Sequence, residues 1–218
     1  MTEREIHAAV RILRREVPKW ETPVVTLMAE TYQSPFRVLI SCILSLRTQD
    51  ATTAKASHRL FAVADSPQAM VKLTAKKIEK LIYPVGFYKT KARQIREMCQ
   101  TIIDHHSGKV PDEIDELLQF KGVGRKTANL VVTLGYHKPG ICVDTHVHRI
   151  SNRWGYIKTA TPEKTEFALR AKLPKQYWIE YNNLLVNFGQ HLCRPISPMC
   201  SACPVKKYCR QLGVGVRR

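Results

Sequence analysis

Three observations predict an all-α fold. Apolar residues recur at helical spacing along most of the chain, helix-start signals are frequent, and alternating strand patterns are scarce. The first helix starts at Thr2, which forms a capping box with Glu5. Ile6, Val10, Leu13 and Val17 make its apolar stripe, and Pro18 stops it. Residues 36–46 are apolar almost all round, as a central buried helix requires. A polar corner, Arg47 to Asp50, precedes a helix expected over 51–62. Ser66-Pro67 and Thr161-Pro162 are N-caps with proline at the first helical position. Further helices are expected over 76–82, 89–105 and 112–120, punctuated by Gly86, Gly108 and Gly122. The only weak strand pattern, over 133–143, is broken by Gly135, Pro139 and Gly140.

The length of 218 residues suits one or two domains with a real core. No linker, internal repeat or low-complexity segment stands out. The 35 Lys and Arg against 18 Asp and Glu give a net charge of +17. Such an excess points to a polyanion; nucleic acid is the commonest, and a membrane surface is the minor alternative. No run reaches the roughly 18 apolar residues that cross a bilayer, and the charged N-terminus is no secretory signal. These features predict a soluble, intracellular protein with no membrane partner. The seven cysteines are then not expected to form disulfides. Cys42, Cys99 and Cys142, lying singly in apolar segments, read as buried small hydrophobes.

Lys121-Gly122-Val123-Gly124 predicts a tight hairpin between two helices, the second running over 125–134. Glycines permit positive φ and close backbone approach. The hairpin amides and the next helix N-terminus together suit a phosphate. Val123 is expected to plug the hairpin into the core. Lys126 falls in the first turn of that helix. It reads as one more phosphate contact, or as a nucleophile whose positive charge is opposed by the helix N-terminus and by Arg125, and would be opposed further by any partial burial. Asp144 stands where a helix N-cap is expected; it reads as a cap, or as a fixed carboxylate able to stabilise a developing oxocarbenium ion or accept a proton.

Cys193, Cys200, Cys203 and Cys209 give a Cys-x6-Cys-x2-Cys-x5-Cys pattern within 17 residues. Four thiolates so close need a metal. One Cys-x2-Cys pair flanked by single ligands wraps more naturally around a 4Fe–4S cubane than around zinc, the alternative. Pro195, Pro198 and Pro204 stiffen the loop, and Arg194, Lys206, Lys207 and Arg210 make it basic enough to face DNA. No dinucleotide fingerprint accompanies it, which disfavours an electron-transfer protein.

The motifs Gly122-Val123-Gly124-Arg125-Lys126-Thr127-Ala128 and Val143-Asp144-Thr145-His146, followed by the cysteine loop in that order, resemble the iron–sulfur endonuclease III family of helix-hairpin-helix DNA glycosylases. Ser34-Pro35-Phe36, Leu44-Ser45, Gly86 to Ala92 and Val110-Pro111 extend the resemblance over nearly the whole chain. It implies a two-domain helix-hairpin-helix DNA glycosylase fold. A six-helix domain, residues 28–138 with the hairpin element at about 113–134, is inserted in a 4Fe–4S cluster domain built from residues 1–27 and 139–218. It implies a bifunctional glycosylase and AP lyase of base excision repair, acting on oxidised pyrimidines and abasic sites in double-stranded DNA. Lys126 would be the Schiff-base lysine, Asp144 the catalytic aspartate, and the four loop cysteines the ligands of one 4Fe–4S cluster per chain. Lys121, Gly122, Val123, Gly124 and Arg125 would hold DNA, with Arg47, Gln49, Phe87 and His146 as further contacts. A monomer in the cytoplasm, associated with the nucleoid, is expected.

Two departures from the family pattern are visible. Phe120-Lys121 stands where many members have Leu-Pro, adding a phosphate contact. In the Ser45 to Asp50 corner, the position of a gap-filling glutamine falls on Arg47. Arg47 would then enter the gap left by a flipped base, with Phe87 as the opposite wedge; their plainer readings are a phosphate-binding arginine and a core phenylalanine. The competing functions are a monofunctional adenine or thymine mismatch glycosylase, whose members generally lack the lysine, and a DNA-binding module without catalysis, which needs neither Lys126 nor Asp144.

Overall fold

The computed structural model describes residues 1–20, 34–216 and 218, and all regular structure among them is helical. No described helix is long and apolar enough to cross a membrane. The chain divides into two units: Val24–Lys138, and Met1–Pro23 together with Pro139–Arg218. The boundary expected at Leu27 lies outside the described residues.

Helix α1 is Glu3–Glu16 and carries the expected capping box on Thr2, with Ile6, Val10 and Leu13 buried. In the unit formed by residues 24–138, Ser34 caps α2 (Pro35–Ser45), and Phe36 and Val38 to Leu44 are all buried, making it the central helix. Around it come α3 (Asp50–Phe61), α4 (Pro67–Val71) capped by Ser66, and α5 (Ala75–Ile82) capped by Thr74. The long α6 (Tyr88–His105) buries Ala92, Ile95, Met98, Cys99 and Ile102, and packs on α4 and α5.

The next two helices are shorter than the sequence predicts. The helix expected over 112–120 is only α7, Ile114–Leu117. Asp112 and Glu113 instead pair with the Lys138 ammonium at 2.9 and 2.7 Å, which holds them out of the helix. The helix expected over 125–134 is α-helical only over α8, Arg125–Leu130; Val131–Gly135 then widens into a π-helical turn. The Thr133 hydroxyl donates back to the Asn129 carbonyl at 2.7 Å, a bond that competes with regular helix. Gly135 packs on Pro35 so closely that a Cβ would lie 2.9 Å from its Cα.

In the other unit, α1 joins α9 (Thr145–Arg153), α10 (Pro162–Lys172) and α11 (Trp178–His191). Ile6, Leu13, Trp154, Tyr156, Tyr181 and Phe188 form its fully buried centre. Several contacts fasten the N-terminal segment to the C-terminal half. Arg14 forks onto Glu180 at 2.9 and 2.5 Å, His7 meets the Tyr177 hydroxyl at 2.6 Å, and Trp20 stacks on His191 at 5.0 Å.

Candidate functional site

The hairpin begins where α7 ends. Val123 N–H donates to Phe120 O at 3.0 Å and closes the turn, and Val123 is buried, as its role as a plug requires. Gly122 has φ +80°, and the Gln94 amide occupies the space that a Cβ there would fill. The same amide donates to Lys121 O, so α6 fastens the turn from outside. Gly124 is the N-cap of α8, with open space where a Cβ would stand. Lys121, Gly122 and Gly124 are exposed and Arg125 is half-buried. Lys126 is the second residue of α8 and is exposed. The buried side of α8 begins one residue later, at Thr127.

Asp144 belongs to the other unit, and it is the N-cap of α9. Its Oδ1 accepts from His146 N at 2.8 Å and from Val147 N at 2.9 Å. Both cap bonds use one oxygen, which leaves Oδ2 without a hydrogen bond from the described residues. The carboxylate is half-buried and fixed in direction, so the capping and the chemical readings of Asp144 are compatible. His146 turns back into its own unit: Arg149 donates to its Nδ1 at 3.0 Å, and its ring fills the space beside Gly189.

Arg47 and Phe87 are brought together. Both are exposed, and both have left-handed backbones, with φ 53° and 58°. The Arg47 guanidinium lies over the Phe87 ring, 5.6 Å from its centroid. Phe87, 62% exposed, is not a core residue; it is the N-cap of α6. Gln49 is the exposed N-cap of α3, and its carbonyl accepts from Thr53 N at 2.9 Å.

The four loop cysteines line one cavity, walled by Trp154, Phe188, Leu192, Met199 and Val214. Among the described residues, no three His, Cys, Asp or Glu side chains are grouped to hold a metal ion. Burial first, with the neighbouring thiols adding to it, pushes Cys203 up to about 11 and raises Cys209. Such thiols stay protonated at neutral pH until a cation stabilises their anions. Four thiols lining one cavity are a donor set whose chemistry fits a thiolate-bound metal group. Arg153, 8% exposed, donates to Arg194 O at 2.7 Å, Pro195 O at 2.6 Å and the Cys193 sulfur at 3.6 Å. Gln211 N donates to the Cys209 sulfur at 3.3 Å. Arg194, Lys206, Lys207 and Arg210 are all exposed around the loop. Cys42 and Cys99 lie far from this chemistry in kind: both are buried, which pushes each thiol up to about 12.

Sequence reasoning missed the side chains that hold these groups. Nothing in the local sequence singles out Gln94 behind the hairpin or Arg153 under the cysteine loop. The partner each supports is remote in sequence, so spacing carries no signal of it.

Comparison with known proteins agrees with this geometry. The model of the HhH-GPD superfamily of base excision DNA repair proteins matches residues 40–175. Endonuclease III of Thermotoga maritima is 48% identical over 175 residues, which cover 80% of this chain and 82% of that protein. The chloroplastic endonuclease III homolog 1 of Arabidopsis thaliana is 42% identical over 183 residues, 80% of this chain; the match spans 48%, about half, of that protein's length. The solved structure of a trapped endonuclease III–DNA covalent intermediate superposes with a TM-score of 0.84 at 33% identity, covering 97% of both chains. A hairpin with its lysine, a capped aspartate and a four-cysteine loop, carried on this helical architecture, therefore make the chain a member of the HhH-GPD superfamily of base excision DNA repair proteins and, within it, of the endonuclease III family.

Proposed function

We propose that the chain is a bifunctional DNA glycosylase and AP lyase of base excision repair, acting on double-stranded DNA that carries oxidised pyrimidines or abasic sites. The observation that carries this reading is Lys126, an exposed lysine in the first turn of the helix behind the glycine hairpin. A covalent DNA intermediate, as trapped in the similar protein, requires a nucleophile, and an amine is the group that forms a Schiff base with a sugar.

Lys121, the backbone of residues 122–124 and Arg125 grip the phosphates next to the lesion, contacts that position the duplex without reading its sequence. The damaged nucleotide is flipped out. The Lys126 amine bonds to C1′ as the glycosidic bond breaks, and the base leaves with the electron pair. Asp144 stabilises the positive charge that develops on the sugar and takes the proton lost by the amine. The sugar ring opens to a protonated Schiff base. Loss of a proton from C2′ then expels the 3′ phosphate by β-elimination, and water releases the enzyme. Arg47 and Phe87 occupy the gap left by the flipped base, with Gln49 beside them and His146 near the capped aspartate.

Cys193, Cys200, Cys203 and Cys209 would hold one 4Fe–4S cluster. Bound there, the cluster supplies a rigid cross-link for a basic loop that faces DNA. Residues 28–138 act as the six-helix domain, with the hairpin element at about 113–134. Residues 1–27 and 139–218 act as the cluster domain. The proposed setting is a monomer in the cytoplasm, associated with the nucleoid.

The test is borohydride trapping on an abasic duplex. Wild type should give a covalent adduct and Lys126→Ala none. A wild-type protein without an adduct rules out the lyase mechanism.

A further inference from the structure

One buried side chain ties together the two loops that carry Arg47 and Phe87. Lys91, in α6, is 5% exposed. Its ammonium donates to Leu44 O at 2.9 Å, to Leu46 O at 2.6 Å and to Thr48 Oγ1 at 3.3 Å. The three N–H groups of a lysine are thereby all used. The two carbonyls lie at the C-terminal end of α2, where main-chain acceptors lack helical partners and the helix dipole is negative. Thr48 Oγ1 in turn accepts from Gly86 N at 3.1 Å. Gly86 lies so close to the corner that a Cβ on it would stand 2.6 Å from Arg47 O. The chain of contact therefore runs from Lys91 through Thr48 and Gly86 to Phe87, with Arg47 enclosed by it.

A buried ammonium whose three partners are all neutral is costly, and an apolar side chain would fill the same volume more cheaply. An apolar side chain could not tie three oxygens from one corner. Left-handed backbones at Arg47 and Phe87 also persist only where the surroundings impose them. We infer that Lys91 is a positioning residue, which presents Arg47 and Phe87 as one fixed pair for insertion into duplex DNA. The inference rests on the proposed gap-filling role of that pair.

Insertion is needed only where a partner strand must be held apart. The test compares single-turnover excision from a lesion duplex with β-elimination on a single-stranded abasic oligonucleotide. Lys91→Met should lower the duplex rate about ten- to a hundredfold, as displaced contact groups do. Its single-strand rate should stay within about twofold of wild type, because no insertion step precedes that chemistry. A 2-aminopurine next to the lesion should brighten less with the variant than with wild type. Thr48→Val, which removes one acceptor and keeps the lysine, should show the same pattern to a smaller degree, and it serves in place of Lys91→Met should that variant fail to fold. Equal losses on both substrates, or no loss on either, overturn the role of Lys91. Arg47→Ala and Phe87→Ala separate the two layers. If they keep the full duplex rate, the gap-filling reading itself fails; if they lose it while Lys91→Met and Thr48→Val do not, only the positioning role fails.

Discussion

The guanidinium of Arg47 lies 5.6 Å from the centre of the Phe87 ring, so two residues from different loops form one exposed unit. A cation over an aromatic face at an exposed site contributes about 0.5–1 kcal/mol. A double-mutant cycle on unfolding, with Arg47→Ala, Phe87→Ala and the pair, should return a coupling of that size. Additive effects would make the stacking incidental.

Asp144 combines a structural and a chemical task, and substitution can part them. Asn keeps an oxygen for the His146 and Val147 amides, and asparagine caps as well as aspartate. Asp144→Asn should therefore unfold like wild type and bind abasic duplex, while excision slows by roughly 10²–10⁴-fold. Asp144→Ala should lose about 1 kcal/mol of stability as well. Full excision by the Asn variant would reduce Asp144 to a cap.

The cysteine loop makes a compositional prediction. Freshly purified protein should be brown and contain iron and acid-labile sulfide in equal amounts. Cys203→Ser should lose both the colour and the protection of the loop from protease. Stoichiometric zinc without sulfide in anaerobic wild-type protein would contradict the cluster.

Burial lowers Lys91 to about 8 from its ordinary 10.5. The unfolded chain keeps this proton up to the higher value, so between the two pH values unfolding takes up a proton. The contribution of the side chain is therefore full above about 10.5 and declines as pH falls towards 8. The stability difference between wild type and Lys91→Met, from urea midpoints, should shift in favour of wild type between pH 8 and pH 10. A flat difference across that interval would show that the three oxygen acceptors keep Lys91 charged.

Local signals were legible and remote ones were not. Thr2, Ser66 and Thr161 each cap a helix because a hydroxyl and its amide lie three residues apart, a relation that spacing reveals. The shortening of α7 depends on Lys138 drawing Asp112 and Glu113 aside, and no local propensity reports that. Among site residues, Val123 could be read as the plug because an apolar residue between two glycines has little other use. Lys91 could not be read as buried. It looks like one more cation on a basic helix until the α2 carbonyls are seen opposite it. The exposure of Lys126 is likewise set by a tertiary relation, the point at which α8 turns its apolar side inward, one residue further on.

The two glycines of the hairpin answer to different demands. Gly122 is closed to other residues by its own φ of +80° and by Gln94, whether or not DNA is present. Gly124 has an ordinary backbone and empty space around it, so nothing within its unit forbids alanine. The two positions therefore differ in kind: a side chain at Gly122 would strain the turn itself, whereas one at Gly124 meets no steric barrier within its unit. Under the proposed phosphate grip, a methyl group added at Gly124 would reach the DNA first, and binding would register more than the modest cost that alanine carries at a helix N-cap.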